Sequence, residues 1–357
     1  MRTQHTQPLF ANQHIYVGLD VHKRSWNVTT VSEFLTHQTF TQTPHVETLV
    51  HYLHRHFPGA LYHVVYEAGY CGFWIHDALR LYGIECNVIN AADVPTTDKE
   101  KRHKTNNVDS HKLARSLRNG ELRPLFVPSR RALEDRTLVR TRRSLVAKQT
   151  RCKNQIKGLL MFYGITVPDD ITERYWSRRY IAWLSQLRMQ SPSGDHALQI
   201  LLKELLQERT SILDVTRAIR TLAKEEPYAA YVPHLVTIPG ISTLTAMILL
   251  TELISVERFK NLDALASFVG LVPGEHSSGE ERTITDITQR KNPYLRWILI
   301  ESSWVAVRHD PVLAAAFTAL SHRMPKNRAI IRIARKLLNR IRFVAIHQQP
   351  YVSVRAA

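Results

Sequence analysis

Short apolar runs bounded by polar turns open the chain. "HIYVGLDV", "SWNVTTVS" and "THQTFTQT" read as three strands with short connections, an antiparallel meander. The spacing then turns helical in "VETLVHYLHRHF", which Pro58-Gly59 ends. "ALYHVVYEA" returns to a strand, and "GFWIHDALRLYG" reads as a helix closed by Gly83. "IECNVIN" is a further strand, and "NNVDSHKLARSLRNG" a helix closed by Gly120. The predicted order over residues 1–127 is therefore βββαβαβα. A mixed sheet with helices on its faces is the packing that buries such elements.

Beyond residue 127 the strand signal fades. "RRALEDRTLVRTRRSLVAKQTRCKNQIKGLLMFYG" predicts one long basic helix ending at Gly164. "HALQILLKELLQERTSILDVTRAIRTLAKEE" predicts a second, amphipathic one. Together they suggest a coiled-coil-like arm over 128–232 with imperfect heptads. Residues 233–357 read as a compact α-helical region. Its "LVTIPGISTLTAMILLTEL" resembles a helix-hairpin-helix element, whose turn amides can hold a phosphate. After it come "NLDALASFVGLVP", a polar Gly-rich loop "GEHSSGEERTITDITQRKN", and the helices "PYLRWILIESSWVAV" and "KNRAIIRIARKLLNRIRFVAIH". The fold class expected is α/β plus α.

Charge narrows the partners. The 357 residues carry a formal net charge of +17, which calls for a polyanion: nucleic acid or an anionic membrane. No apolar run reaches the roughly 18 residues of a membrane span, and the polar N-terminus is not a signal peptide. Nucleic acid is the partner expected, with no membrane. Cys71, Cys86 and Cys152 show neither metal-ligand spacing nor a pairing pattern, as in a reduced cytosolic protein.

Asp20 closes the first strand, Glu67 closes the fourth in "VVYEAGYCGF", and Asp109 lies in the first turn of the helix after "KTNNVD". Each has an ordinary reading. Asp20 suits a turn, and Asn106-x-x-Asp109 suits a helix N-cap with an acid near the positive end of the dipole. In a mixed sheet the first and fourth strands can be neighbours, so Asp20 and Glu67 can meet at one edge, and a helix crossing that edge can add Asp109. Converging carboxylates repel unless a cation neutralises them. RNase H-like and RuvC-like nucleases use this layout to hold Mg²⁺ against a phosphate.

The segments "GLDVHK", "YEAGYCGF", "KTNNVDSHKLARSLRNGELRPLFVP", "TIPGISTLTAMILLTEL", "FVGLVPGEHSSGEERTITDITQRKNPYLR" and "RAIIRIARKLLN" span nearly the whole chain. In this order they resemble the IS-one-ten family of insertion-sequence transposases, which includes the Piv-type invertases. The resemblance implies a RuvC-like domain over 1–127, a helical arm over 128–232 and a C-terminal transposase domain over 233–357. It also implies DNA recombination guided by a structured bridge RNA. By residue, it makes Asp20, Glu67 and Asp109 three members of an acidic tetrad that holds Mg²⁺. The remaining position usually reads Asp in "KTDxxD" and here is Asn106, an oxygen donor without charge.

"GEHSSGEER" alone reads as an exposed turn. The resemblance makes Ser278, which precedes Gly279, the nucleophile, with Ser277 as fallback. A serine hydroxyl needs activation; a metal polarising the phosphate can assist it, in a composite site formed by the two regions. Basic residues crowd the first arm helix and the last helix with few compensating acids. The candidates for nucleic-acid contact are Lys23, Lys104, Arg140, Arg143, Lys291, Arg296, Arg332, Arg335 and Lys336, with Lys291 and Arg296 beside the serine. The function expected is a bacterial or archaeal cytoplasmic, nucleoid-associated transposase. It would act on donor and target DNA with a bridge RNA, as a dimer or dimer of dimers. The alternatives are a Holliday-junction-resolvase type of nuclease and a catalytically impaired nucleic-acid-binding protein.

Overall fold

The computed structural model describes residues 10–95, 106–171, 176–278, 281–287 and 292–352, with backbone alone for 106–107, 273–278 and 281–287. The chain forms two compact units, residues 1–127 and 128–357.

The first unit holds strands β1 (His14–Val21), β2 (Trp26–Val31), β3 (Thr36–Gln42), β4 (Leu61–Glu67) and β5 (Glu85–Ile89) in the order β3-β2-β1-β4-β5. β1, β2 and β3 pair antiparallel, as the meander reading expects. β4 joins β1 in parallel, and β5 joins β4 in parallel. The mixed sheet matches the α/β part of the expected class.

Helix α1 (Val46–His56) buries Val46, Leu49, Val50 and Leu53, spaced i, i+3, i+4, i+7, against one sheet face. Helix α2 (Trp74–Leu81) adds Ile75 and Leu79 to the same layer. That face is built from Ile15, Val17 and Leu19 of β1 with Val64 and Tyr66 of β4. Because strand side chains alternate, the even-numbered residues of β1 and the odd-numbered residues of β4 turn to the other face. Helix α3 (Asn106–Arg118) covers it, packing Leu113 on Val65 and Ile89. The crossing is close. A Cβ at Gly18 would stand 2.6 Å from the Ala114 nitrogen and nearer still to the Ser110 carbonyl oxygen. The glycine inside β1 thus permits direct backbone approach.

In the second unit, α4 (Arg130–Phe162) and α6 (Pro192–Leu222) lie along each other. At 33 residues α4 is about 50 Å long. Cys152, Ile156 and Leu160 of α4 meet Leu198, Leu202 and Leu205 of α6, and α5 (Arg178–Gln186) adds Tyr180 and Leu184. The other ends of both long helices, at Val139 and Ile219, enter a second core. Its centre is α8 (Thr243–Leu253), buried on every side over Thr245–Leu253. Between the short α7 (Val232–Leu235) and α8, Gly240 has φ +90° and faces the Ser302 carbonyl. The Pro-Gly turn is therefore packed against α10 (Pro293–His309). Helices α9 (Leu262–Val269), α11 (Pro311–Ser321) and α12 (Lys326–His347) complete this core.

One element differs from the sequence reading. The segment read as a polar loop contains an antiparallel hairpin, β6 (Pro273–Ser278) with β7 (Glu281–Ile287). The β-branched run Thr283-Ile284-Thr285 and Ile287 favours extended backbone, and this outweighs the Gly and Ser on its flank. Among the described residues, no helix is long and apolar enough to cross a membrane.

Candidate active site

Register places the first two carboxylates. β1 and β4 pair in parallel up to Leu19 opposite Tyr66, so Asp20 and Glu67 are the next residues on two adjacent strands. Both belong to the alternate set that faces α3: Asp20 follows Gly18 by two, and Glu67 follows Val65 by two and pairs with Ile89. Asp109 precedes Ser110, whose hydroxyl lies 2.9 Å from that of Thr29 on β2. The three acids therefore come from two strand ends and one helix start on a single face of the sheet, held at that depth by Gly18.

Their side chains have other partners here. His22 Nε2 lies 3.0 Å from Asp20 Oδ2. The buried Lys112 ammonium lies 3.7 Å from Asp109 Oδ1. The hydroxyl of Tyr70, in the loop after Glu67, donates to the Val21 carbonyl at 3.1 Å and ties that loop to the β1 end. Among the described residues, no three His, Cys, Asp or Glu side chains close on a point that would hold a metal. The donor chemistry is nonetheless that of a hard divalent cation: carboxylate oxygens without soft ligands. Asn106 begins α3; its side chain lies outside the described residues.

Ser277 and Ser278 sit at the end of β6, opposite Arg282 and Glu281. Their side chains, like Lys104 and Lys291, lie outside the described residues. What the structure does describe is the root of this hairpin. The Asn292 N–H donates to the Phe268 carbonyl at 3.1 Å, drawing together the chain on either side of it. The Asn292 side chain caps α10, accepting from the N–H groups of Tyr294 and Leu295. Its Nδ2 donates to Glu252 Oε2 at 2.8 Å.

Glu252 is only 2% exposed. It receives the Arg140 guanidinium in a two-pronged bond, Nε to Oε1 at 2.7 Å and Nη2 to Oε2 at 2.8 Å. Burial alone would raise its pKa, but the bonds from Arg140 and Asn292 and the arginine charges hold it below the usual glutamate value.

The sequence candidates for nucleic-acid contact divide. Arg140 is committed to Glu252, and Arg335 pairs with Asp263. Arg143 lies 4.4 Å from the centre of the Tyr294 ring. Lys23, Arg332 and Lys336 are exposed and Arg296 is half-exposed. Gly18, Glu252, Asn292 and Lys112 were not singled out from sequence. Asn292-Pro293 was a readable cap signal, and a glycine within a strand signals close approach.

Family models match two parts of the chain. Residues 17–165, from β1 to just past the end of α4, match the transposase model for the DEDD domain of IS110 elements. Residues 232–318, including the hairpin, match the Transposase IS116/IS110/IS902 family. The Sinorhizobium fredii protein y4rJ is 30% identical over 317 residues, 80% of this chain and 76% of that protein. The chain belongs to the IS110 family of insertion-sequence transposases. The transposase of insertion sequence IS1111A from Coxiella burnetii is 27% identical over 76% of this chain and 74% of its own. The Sinorhizobium fredii protein y4qE is 31% identical over 69% of this chain, and the match spans 58% of y4qE. The DEDD match places Asp20, Glu67, Asn106 and Asp109 inside a domain type that points to divalent-metal dependence.

Proposed function

We propose that this IS110-family chain cuts and rejoins DNA with Ser278 as nucleophile, assisted by Mg²⁺ at Asp20, Glu67 and Asp109, with Asn106 as a neutral fourth donor. The observation that carries the reading is the placement of Asp20 and Glu67 at the ends of adjacent parallel strands, on the face α3 crosses. Mg²⁺ bound there supplies Lewis-acid polarisation of a phosphate oxygen. Serine attack forms an Oγ–phosphorus bond as one phosphodiester P–O bond breaks; the serine proton leaves to a base and the departing strand oxygen takes one up. Attack by a strand hydroxyl on the seryl phosphodiester then restores the serine and joins new ends.

A net charge of +17 and the family's use of a structured bridge RNA support a complex of this chain with DNA and guide RNA, in a dimer or dimer of dimers. The test is trapping of a covalent protein–DNA adduct. Ser278→Ala should abolish the adduct and strand transfer while leaving DNA binding within twofold. Cleavage without any adduct in the unmutated protein would overturn the serine and favour a metal nuclease of the resolvase type. Recombination by the variant would pass the role to Ser277. RNA copurifying with the protein, sequenced, tests the guide.

A further inference from the structure

The outward face of α12 changes character along its length. Ile330, Ile333, Leu337, Ile341 and Val344 turn to the core. On the opposite side Arg328, Arg332 and Lys336 are exposed, each four residues and so about 6 Å along the axis from the next. The same stripe continues through Asn339, Phe343 and His347, all exposed. Phe343 is 56% exposed, and the centre of the His347 ring lies 4.3 Å from that of its own. The helix itself contains no Asp or Glu. Asp263 and Asp310, which meet it from neighbouring elements, pair with Arg335 and Arg340.

The aromatic end of the stripe borders a groove. Asn339, Arg342, Phe343 and His347 form one wall, and Pro350 and Tyr351 of the C-terminal segment form the other. Its volume is about 420 Å³, within the roughly 300–1,000 Å³ of small-ligand sites. The second wall is anchored by Tyr351. Its N–H donates to the Thr237 hydroxyl at 2.7 Å, its own hydroxyl donates to Asp310 Oδ2 at 2.8 Å, and the Arg340 guanidinium lies 5.0 Å from the centre of its ring. Arg342 Nε is buried with no hydrogen-bond partner among the described residues. An exposed ring beside a guanidinium and a side-chain amide suits a nucleobase, giving it a π-face to stack on and donors for its edge. The bases of a duplex stack on one another, so only an unpaired one can enter.

We propose that this face of α12 binds a single nucleic-acid strand: Arg328, Arg332 and Lys336 contact its backbone phosphates, and Phe343 stacks on one unpaired base held in the groove. The cationic ladder leading to the groove favours a polyanion over an apolar peptide. The partner class rests on the transposase reading; the groove does not depend on Ser278 being the nucleophile. DNA and RNA share this chemistry, and the test separates them.

The test uses the full chain carrying Phe343→Leu, which keeps an apolar side chain and removes the ring. Its binding is read by fluorescence anisotropy with single-stranded DNA, single-stranded RNA and a blunt duplex of the same sequence. Affinity should fall about tenfold for the single strand that occupies the groove, and the larger loss says whether that strand is DNA or RNA. Duplex affinity should stay within twofold. The slope of log affinity against log salt should not change, because no charge is lost. Phe343→Trp should keep or raise single-strand affinity. Lys336→Met should weaken single-strand binding and make the slope shallower by about 0.7. Equal losses for strand and duplex would overturn the unpaired base. Unchanged single-strand affinity in Phe343→Leu would overturn the proposal: a lower melting temperature would then give the groove to the chain's own C-terminal residues, and altered sedimentation would make it a contact between copies. No binding of any oligonucleotide by the unmutated protein would overturn the nucleic-acid reading itself, so the two fail separately.

Discussion

Gly18→Ala tests whether the acidic face depends on the close crossing of α3 over β1. The added methyl would stand 2.6 Å from the Ala114 nitrogen, where ordinary contact begins at 3.4 Å, and nearer still to the Ser110 carbonyl. Both atoms are backbone, so no side-chain rotation relieves the clash. The helix must lift by on the order of 1 Å, a displacement that in an active site can cost roughly 100-fold in rate. Overpacking of this kind costs about 1–3 kcal/mol, more when backbone must move. Lifting α3 also stretches the Thr29–Ser110 bond and draws Asp109 away from Asp20 and Glu67. The expected result is a urea midpoint lowered by the equivalent of about 3 kcal/mol and weaker Mg²⁺-dependent strand transfer in the fraction that remains folded. Gly158→Ala is the control. Gly158 lies within α4, and a Cβ there meets nothing within 4 Å, so this change should stabilise by about 0.5–1 kcal/mol. Unmutated stability and activity in Gly18→Ala would refute the crossing as the device that positions the acids.

Three other predictions concern charge. Glu252 and Asp310 both have pKa values held below the ordinary range. For Glu252, burial is overcome by Arg140 and Asn292; for Asp310, burial is overcome by the Leu313 N–H, Tyr351 and Arg340. A depressed carboxylate stabilises above its unfolded pKa, so urea midpoints should hold above pH ~4.5 and fall as pH drops through the lower folded values. Glu252→Gln should lower stability by about 3 kcal/mol and remove part of that acid loss; an unchanged pH profile would refute the pairing. Asn106→Asp should raise the melting temperature in a Mg²⁺ titration and lower it slightly without metal; parallel curves would take residue 106 out of the metal site and leave it a cap.

Much of the first unit is legible because its signals are local. The three opening strands, the i, i+3, i+4, i+7 stripe of α1 and the Gly83 stop each follow from neighbouring residues. Asp20 stands next to Glu67 because β4 joins β1 in parallel, which the sequence offers as one arrangement among several and the structure realises. The hairpin at 273–287 was harder. Its first strand, "PGEHSS", has turn composition, and it is extended because it pairs with the β-branched second strand. Glu252 was illegible for a different reason. It falls in the apolar run "TAMILLTEL" and is neutralised by Arg140, 112 residues earlier. No local pattern encodes a pair so distant, so a buried charge reads as an interruption of a hydrophobic helix.

The basic residues show why a charge count misleads about contact. Arg140 and Arg143 lie three apart on one crowded helix, and sequence gives them the same role. Arg140 places its fork on a buried glutamate, whereas Arg143 lies over Tyr294. In α12, buried Ile333, Ala334, Leu337 and Leu338 define the inner stripe. Arg332 and Lys336, four apart, project from the opposite face, while Arg335 turns back to Asp263. A guanidinium that must first give up a carboxylate contributes less to phosphate binding than one with none to lose. By that criterion the exposed Arg332, Lys336 and Lys23 are the stronger candidates for phosphate contact.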